Sequence, residues 1–231
     1  MTDTPKERPI IFSGPMIRAL IAGTKTQTRR VVKPQPYTDA PGVYADAYAG
    51  GPRWAWWLPD GRMVRPETFA PYACVGDVLW VREAHALIWP GDYAPERDQD
   101  CRVEYRADGE PTRLPGDWPA ECGHDPECPK WRPSIYMPRW ACRLRLRVTG
   151  VRIERLQHIS EDDARAEGVM PLPLQEGYSG CWWTADVTAG AALHRQSPRD
   201  AYHALWDSIH GKRAPWASNP WVWVVTFEVM R

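Results

Sequence analysis

From Arg143 to Val148 the chain alternates arginine with apolar residues strictly, so Leu144, Leu146 and Val148 fall on one side of a strand and Arg143, Arg145 and Arg147 on the other. Only a sheet with one packed face and one wet, basic face accommodates such a segment. Other elements fit around it. Ser13 reads as a helix N-cap, with Pro15 in the first turn, Met16, Ile17, Leu20 and Ile21 on one face and Gly23 as the stop. The polar, basic run from Thr24 to Arg30 then reads as a loop held between that helix and Val31-Val32. Gly76-Asp77 predicts a turn into a buried strand through Glu83, and Arg102–Arg106 is a short strand candidate. Ser160 with Asp163 predicts a capped helix ended by Gly168. Ser197-Pro198 opens another, whose Tyr202, Leu205, Trp206 and Ile209 form a helical stripe before Gly211. Trp221–Val229 closes the chain as a strand.

At 231 residues, length favours one domain carrying insertions. The core is expected at about 9–33, 73–84, 134–170 and 197–231, with insertions at about 34–72, 85–133 and 171–196, the first two of them rich in proline and aromatics. Formal net charge is zero, so the whole molecule exerts no strong pull on a polyanion. Its distribution is uneven. Six basic residues and no acid lie between Arg8 and Thr38, and seven more, again without an acid, between Lys130 and Arg152. Each block is either a solvated face balanced in space or a phosphate-binding surface. The N-terminal stretch MTDTPKERP lacks the apolar run of a signal peptide and no segment has the length of a membrane span, so a cytoplasmic protein with no membrane partner is expected. In that reducing setting the six cysteines read as thiols or metal ligands. Cys122, His124 and Cys128 lie within seven residues, and Cys101 would complete a tetrahedral structural zinc site; free loop thiols are the other reading.

Three segments together carry a family resemblance. Gly23-Thr24-Lys25-Thr26-Gln27-Thr28-Arg29-Arg30 resembles the ASCH signature G-x-K-T-x-T-x-R. Gly76-Asp77-Val78-Leu79 is similar to the family's G-D-x-L strand entry, and the capped helix ending Glu167-Gly168-Val169 is followed by the strand Trp221–Phe227. Trp131–Trp140 and the Trp-rich final strand look like the phage-type branch of that family. The resemblance implies an α+β fold, a PUA-like small β-barrel with flanking helices. It also implies that the partner is a modified nucleoside or single-stranded nucleic acid. One branch hydrolyses N4-acetylcytidine with a lysine, a threonine and a glutamate, which carried over fall on Lys25, Thr28 and Glu167, with Arg30 matching the signature arginine.

Chemically, a threonine hydroxyl needs a base to act as a nucleophile, and a lysine serves once nearby positive charge or burial favours its neutral form. Arg29 and Arg30 beside Lys25 give the loop that composition. On this reading Thr28 attacks an N4-acyl amide of a cytidine-type base, Lys25 takes its proton and Glu167 completes the relay, with no cofactor required for catalysis. Two alternatives use the same residues: a non-catalytic RNA- or DNA-binding module, and a ribonuclease in which Lys25 and Arg30 stabilise phosphate. Substrate contacts are expected from Thr26, Arg29, Arg30, Trp80, Arg82, Trp131, Arg139 and Trp140, since rings interleaved with arginine suit stacking on unpaired bases. Trp80, inside a strand, equally suits the core. His85 and His158 have no spacing that marks a general base and read as structural.

Overall fold

A computed structural model of the protein describes residues 5–36, 44–47, 53–64, 71–88, 102–108, 131–171, 182–183 and 196–230. The fold is α+β, built on a five-stranded sheet. Its strands are β1 (Glu7–Ile11), β2 (Gln27–Val31), β5 (Val78–Arg82), β8 (Arg145–Arg155) and β11 (Trp221–Met230), in the order β1-β5-β8-β11-β2. Only β1 and β5 run parallel; the other neighbours are antiparallel. Small hairpins form from β3 (Tyr44–Ala47) with β4 (Trp54–Trp57), β6 (His85–Ile88) with β7 (Arg102–Tyr105), and β9 (Met170–Pro171) with β10 (Trp182–Trp183). The helices are α1 (Gly14–Ile21), α2 (Glu161–Ala166) and α3 (Pro198–His210).

The alternation that opened the sequence argument is realised in β8. Leu146 and Val148 are buried while Arg147 is exposed, and the strand runs on to Arg155. One face of the sheet buries Ile10, Leu79, Val81, Leu146, Val148, Trp223, Val225 and Phe227 with Ile17 and Leu20 of α1 and Trp56 of β4. The other face, on the β11 and β2 side, buries Val222 and Val224 against Ala164 of α2 and Tyr202, Leu205 and Trp206 of α3. The aromatic insertion is tied to the core by Trp54 against Trp223 and Trp56 against Trp221, with ring centroids 5.3 and 5.2 Å apart. Where β8 and β11 shift register at Thr226, a Cβ at position 150 would meet the Thr226 hydroxyl at 2.5 Å, so glycine there leaves that hydroxyl its place.

Four expectations are corrected. The sheet does not close into a barrel: β1 and β2 stand at opposite ends of the strand order, and no ladder joins them among the described residues. The two ends nevertheless come near each other, since Phe12, just past β1, lies under both Lys25 and Arg30, at 5.3 and 5.8 Å from the ring centroid. The run from Gln27 to Arg30 is a strand, not a loop, because the backbone of β11 offers it a ladder from Val222 to Thr226. Ile21 and Ile209 turn outward, at 53 and 54% exposure, each at the end of its helix and beyond the reach of the sheet. Of the three serine caps, Ser160 and Ser197 accept the amides of Asp163 and Asp200, whereas Ser13 stands at the N-cap of α1 without a side-chain cap bond. No helix among the described residues is long and apolar enough to cross a membrane.

Beyond β5 a second polar cluster fastens Tyr105 and Asp108 to the sheet. Arg143 pairs bidentately with buried Glu83 and with Asp108, and its guanidinium lies 3.9 Å from the Tyr105 ring centroid. Burial pushes the Glu83 carboxyl up although Arg143 opposes it. His85 is fully buried, its Nδ1 3.2 Å from the Glu83 carbonyl and its Nε2 without a partner, and burial lowers its pKa below the ordinary 6.5. The unfolded chain therefore binds a proton there that the folded chain refuses. Stability is untouched by His85 above the unfolded value and falls as pH drops through it. His210 shifts the same way, and Glu83 acts in the opposite sense at lower pH. Thermal melts should lose more between about pH 7.5 and about pH 5.5 for the wild type than for His85→Gln, whose amide keeps a donor without titrating. Parallel curves would remove His85 from this role.

Candidate functional site

The signature residues converge where β2 passes under α2, but they divide between the two faces of the strand. Lys25, 1% exposed, directs its ammonium at three acceptors: the Gln27 carbonyl at 2.9 Å, the Glu167 carbonyl at 2.8 Å and the Glu167 carboxylate at 3.2 Å. Gly168, with φ of +100°, makes the turn that brings Glu167 back over it. Arg29 is the hub of the helix-covered face. Its guanidinium meets Glu167 at 3.1 Å, Asp163 at 3.1 Å and Glu154, and lies 5.8 Å from the Tyr202 ring centroid. Burial alone would lower Arg29, and the carboxylates more than reverse this, holding it above its usual value. Tyr202, buried beside them, is raised well above the usual phenol range, first by burial and then by Glu167.

Thr28 and Arg30 point to the other face. Thr28 Oγ1 accepts a hydrogen bond from Arg30 Nη1 at 2.9 Å, and Arg30 also donates to the Arg29 and Ile11 carbonyls at 3.0 and 3.5 Å. Arg30 fronts a cavity of about 570 Å³ in the gap between the two sheet edges. Register explains its walls. Ile11 sits opposite Arg82 in the β1–β5 pair, and Arg30 opposite Trp223 in the β2–β11 pair, so two edges that share no backbone ladder among the described residues enclose one space. Pro9, Ile10 and Val31 add apolar surface; Lys33 and Tyr72 complete the lining.

Its lining charge is positive. Among the described residues Arg30, Lys33 and Arg82 form no ion pair and no carboxylate lines the cavity, although the Glu167 charge acts on Arg30 through space. Arg82 Nε is buried without a hydrogen-bond partner, while its guanidinium lies 4.7 Å from the Trp80 ring centroid. Burial lowers Arg30 and raises Tyr72, the latter opposed by the positive charges of Arg30, Arg8 and Arg82 around it. Neither Lys25 nor Thr28 is among the lining residues.

The other expected residues scatter. Thr26 is exposed, and its backbone ties α2 to β11 through the Ala166 carbonyl and the Phe227 amide. Trp80 is buried and lies between Arg82 and Arg139; Trp131 is half-buried, and Arg139 and Trp140 are exposed. Cys101, Cys122, His124 and Cys128 lie outside the described residues. Sequence reasoning missed Ile11, Lys33, Tyr72 and Trp223 as cavity walls. Lys33 and Trp223 stood inside segments already singled out, but nothing local signals the β1–β5 pairing that sets Ile11 beside Arg82, or places Tyr72 near them. The chain matches no family model, no curated protein and no solved structure.

Proposed function

We propose that the protein binds a nucleotide, free or within a single strand, in the cavity between β1 and β2. The observation that carries this is a pocket with three cations, Arg30, Lys33 and Arg82, that form no ion pair among the described residues, on walls otherwise apolar and aromatic. Its volume falls in the range of small-ligand sites, roughly 300–1,000 Å³. Tyr72, Trp223 and the β1 residues suit the flat face of a base, and the cations suit a phosphate. No cofactor is needed. The contact of Lys25 with Glu167 is what supports the ASCH resemblance, and the open sheet does not support its barrel.

Hydrolysis of an N4-acyl amide is the second reading, favoured by one observation: Lys25 and Glu167 are in direct contact, with Thr28 on the adjoining strand. Binding without chemistry is ranked above it because the Lys25 ammonium already serves three acceptors and the Thr28 hydroxyl is held by Arg30. An ammonium so engaged has no lone pair to take the threonine proton. Titrating the protein with N4-acetylcytidine and its 5′-monophosphate, by tryptophan fluorescence for binding and chromatography for turnover, tests both readings. Tighter binding of the phosphate form, retained in Thr28→Ala and without turnover, is expected. Turnover abolished by Thr28→Ala would install the second reading, and absence of any binding would defeat both.

A further inference from the structure

The half of the outer sheet face that no described helix covers continues directly from the cavity. On β5, Trp80 and Arg82 share that face, and on β8 Arg145 lies opposite Trp80 and Arg147 opposite Val78. Against it packs the segment 131–141, folded into two 3-10 turns at Ser134–Tyr136 and Arg139–Ala141, each preceded by a proline. Met137 and Ala141 anchor that segment in the interior, and the Met137 sulfur accepts the Glu83 amide. Anchored in this way, the segment holds three large apolar side chains in the open: Ile135, Tyr136 at 67% and Trp140 at 38% exposure. One indole links this patch to the cavity. The Trp80 ring has Arg82, a cavity wall, at 4.7 Å and Arg139, beside Trp140, at 5.7 Å.

We infer that this surface is a stacking platform for a single strand of nucleic acid, with one nucleotide in the cavity and its neighbours on Tyr136 and Trp140. The inference rests on the nucleotide reading of the cavity and deepens it: the ligand is a strand, not a free nucleotide. Charge complementarity selects this occupant. Among the described residues Arg139, Arg145 and Arg147 face outward there, with Arg82 at the cavity wall, against two carboxylates, Glu7, shared by Arg139 and Arg145, and Glu228, 3.9 Å from Arg147. A positive strip bearing rigid exposed rings suits a chain of phosphates and unpaired bases, since any base presents a π-face to an aromatic side chain.

Fluorescence anisotropy of the full chain with a short labelled oligonucleotide, made as RNA and as DNA, tests the platform; competition with a nucleoside monophosphate reports on the cavity. Tyr136→Ala and Trp140→Ala, both at exposed positions, are each expected to weaken the oligonucleotide about 10-fold. Both should leave the monophosphate unchanged. Oligonucleotide affinity unaltered in both variants, or no tighter than the monophosphate, would overturn the platform while leaving the cavity reading intact. Binding that depends on Tyr136 and Trp140 but not on Arg30 would keep the platform and remove the cavity. Binding of neither ligand would overturn both.

Discussion

Replacing Arg29 with methionine is expected to destabilise the protein by about 3–5 kcal/mol, the usual cost of removing one member of a buried ion network. Arg29 is fully buried and binds Glu154, Asp163 and Glu167 at once, joining β2, β8 and the α2 end. Arg152 still reaches Glu154 and Asp163 without it, but Glu167 keeps only Lys25 among these cations. At this chain length the loss corresponds to a melting temperature about 10 °C lower. Arg29→Lys should rescue little, since one ammonium on a flexible stem cannot span three carboxylates as the planar guanidinium does. A melting temperature within about 2 °C of wild type for Arg29→Met would show that the hub is not what holds α2 to the sheet.

The second large effect is on binding. Arg30→Ala and Arg82→Ala are each expected to weaken a nucleoside monophosphate by about 10- to 100-fold, the range for losing a charge-assisted hydrogen bond. Neither has a carboxylate partner to leave stranded among the described residues, so stability should change far less than affinity. Arg30→Lys and Arg82→Lys should fall between, keeping the charge and losing the fork. Calorimetric titration checks this. Equal affinity in the alanine variants and the wild type would move the ligand out of this cavity.

Much of the frame was legible locally. The glycine stops at 23 and 168 and the caps at Ser160 and Ser197 each state a backbone requirement within a few residues, and each is met; the alternation is met from Arg145 to Val148, with Arg143 ahead of the strand and turned to Glu83. Lys25 and Glu167, far apart in sequence, were paired only through the resemblance, and they touch. What stayed hidden depends on long-range strand pairing. Thr24–Arg30 looked like a loop because its polar residues follow a helix stop; β11 turns Gln27–Arg30 into a strand and sends Arg29 to one face and Arg30 to the other. That division sets Arg29 as a structural cation and Arg30 as a cavity wall, a distinction no spacing rule contains. Likewise Trp80 is buried, as a strand residue should be, yet lies between two arginines that reach the surface.

The most direct measurement is calorimetric titration of the wild-type protein with cytidine 5′-monophosphate and with cytidine, at low and at high salt. Three cations without an ion pair among the described residues, around an aromatic pocket, predict that the monophosphate binds at least about 10-fold more tightly, with the gap narrowing as salt screens the phosphate. Equal affinity for the two, or a gap indifferent to salt, would contradict a phosphate-binding role for Arg30, Lys33 and Arg82.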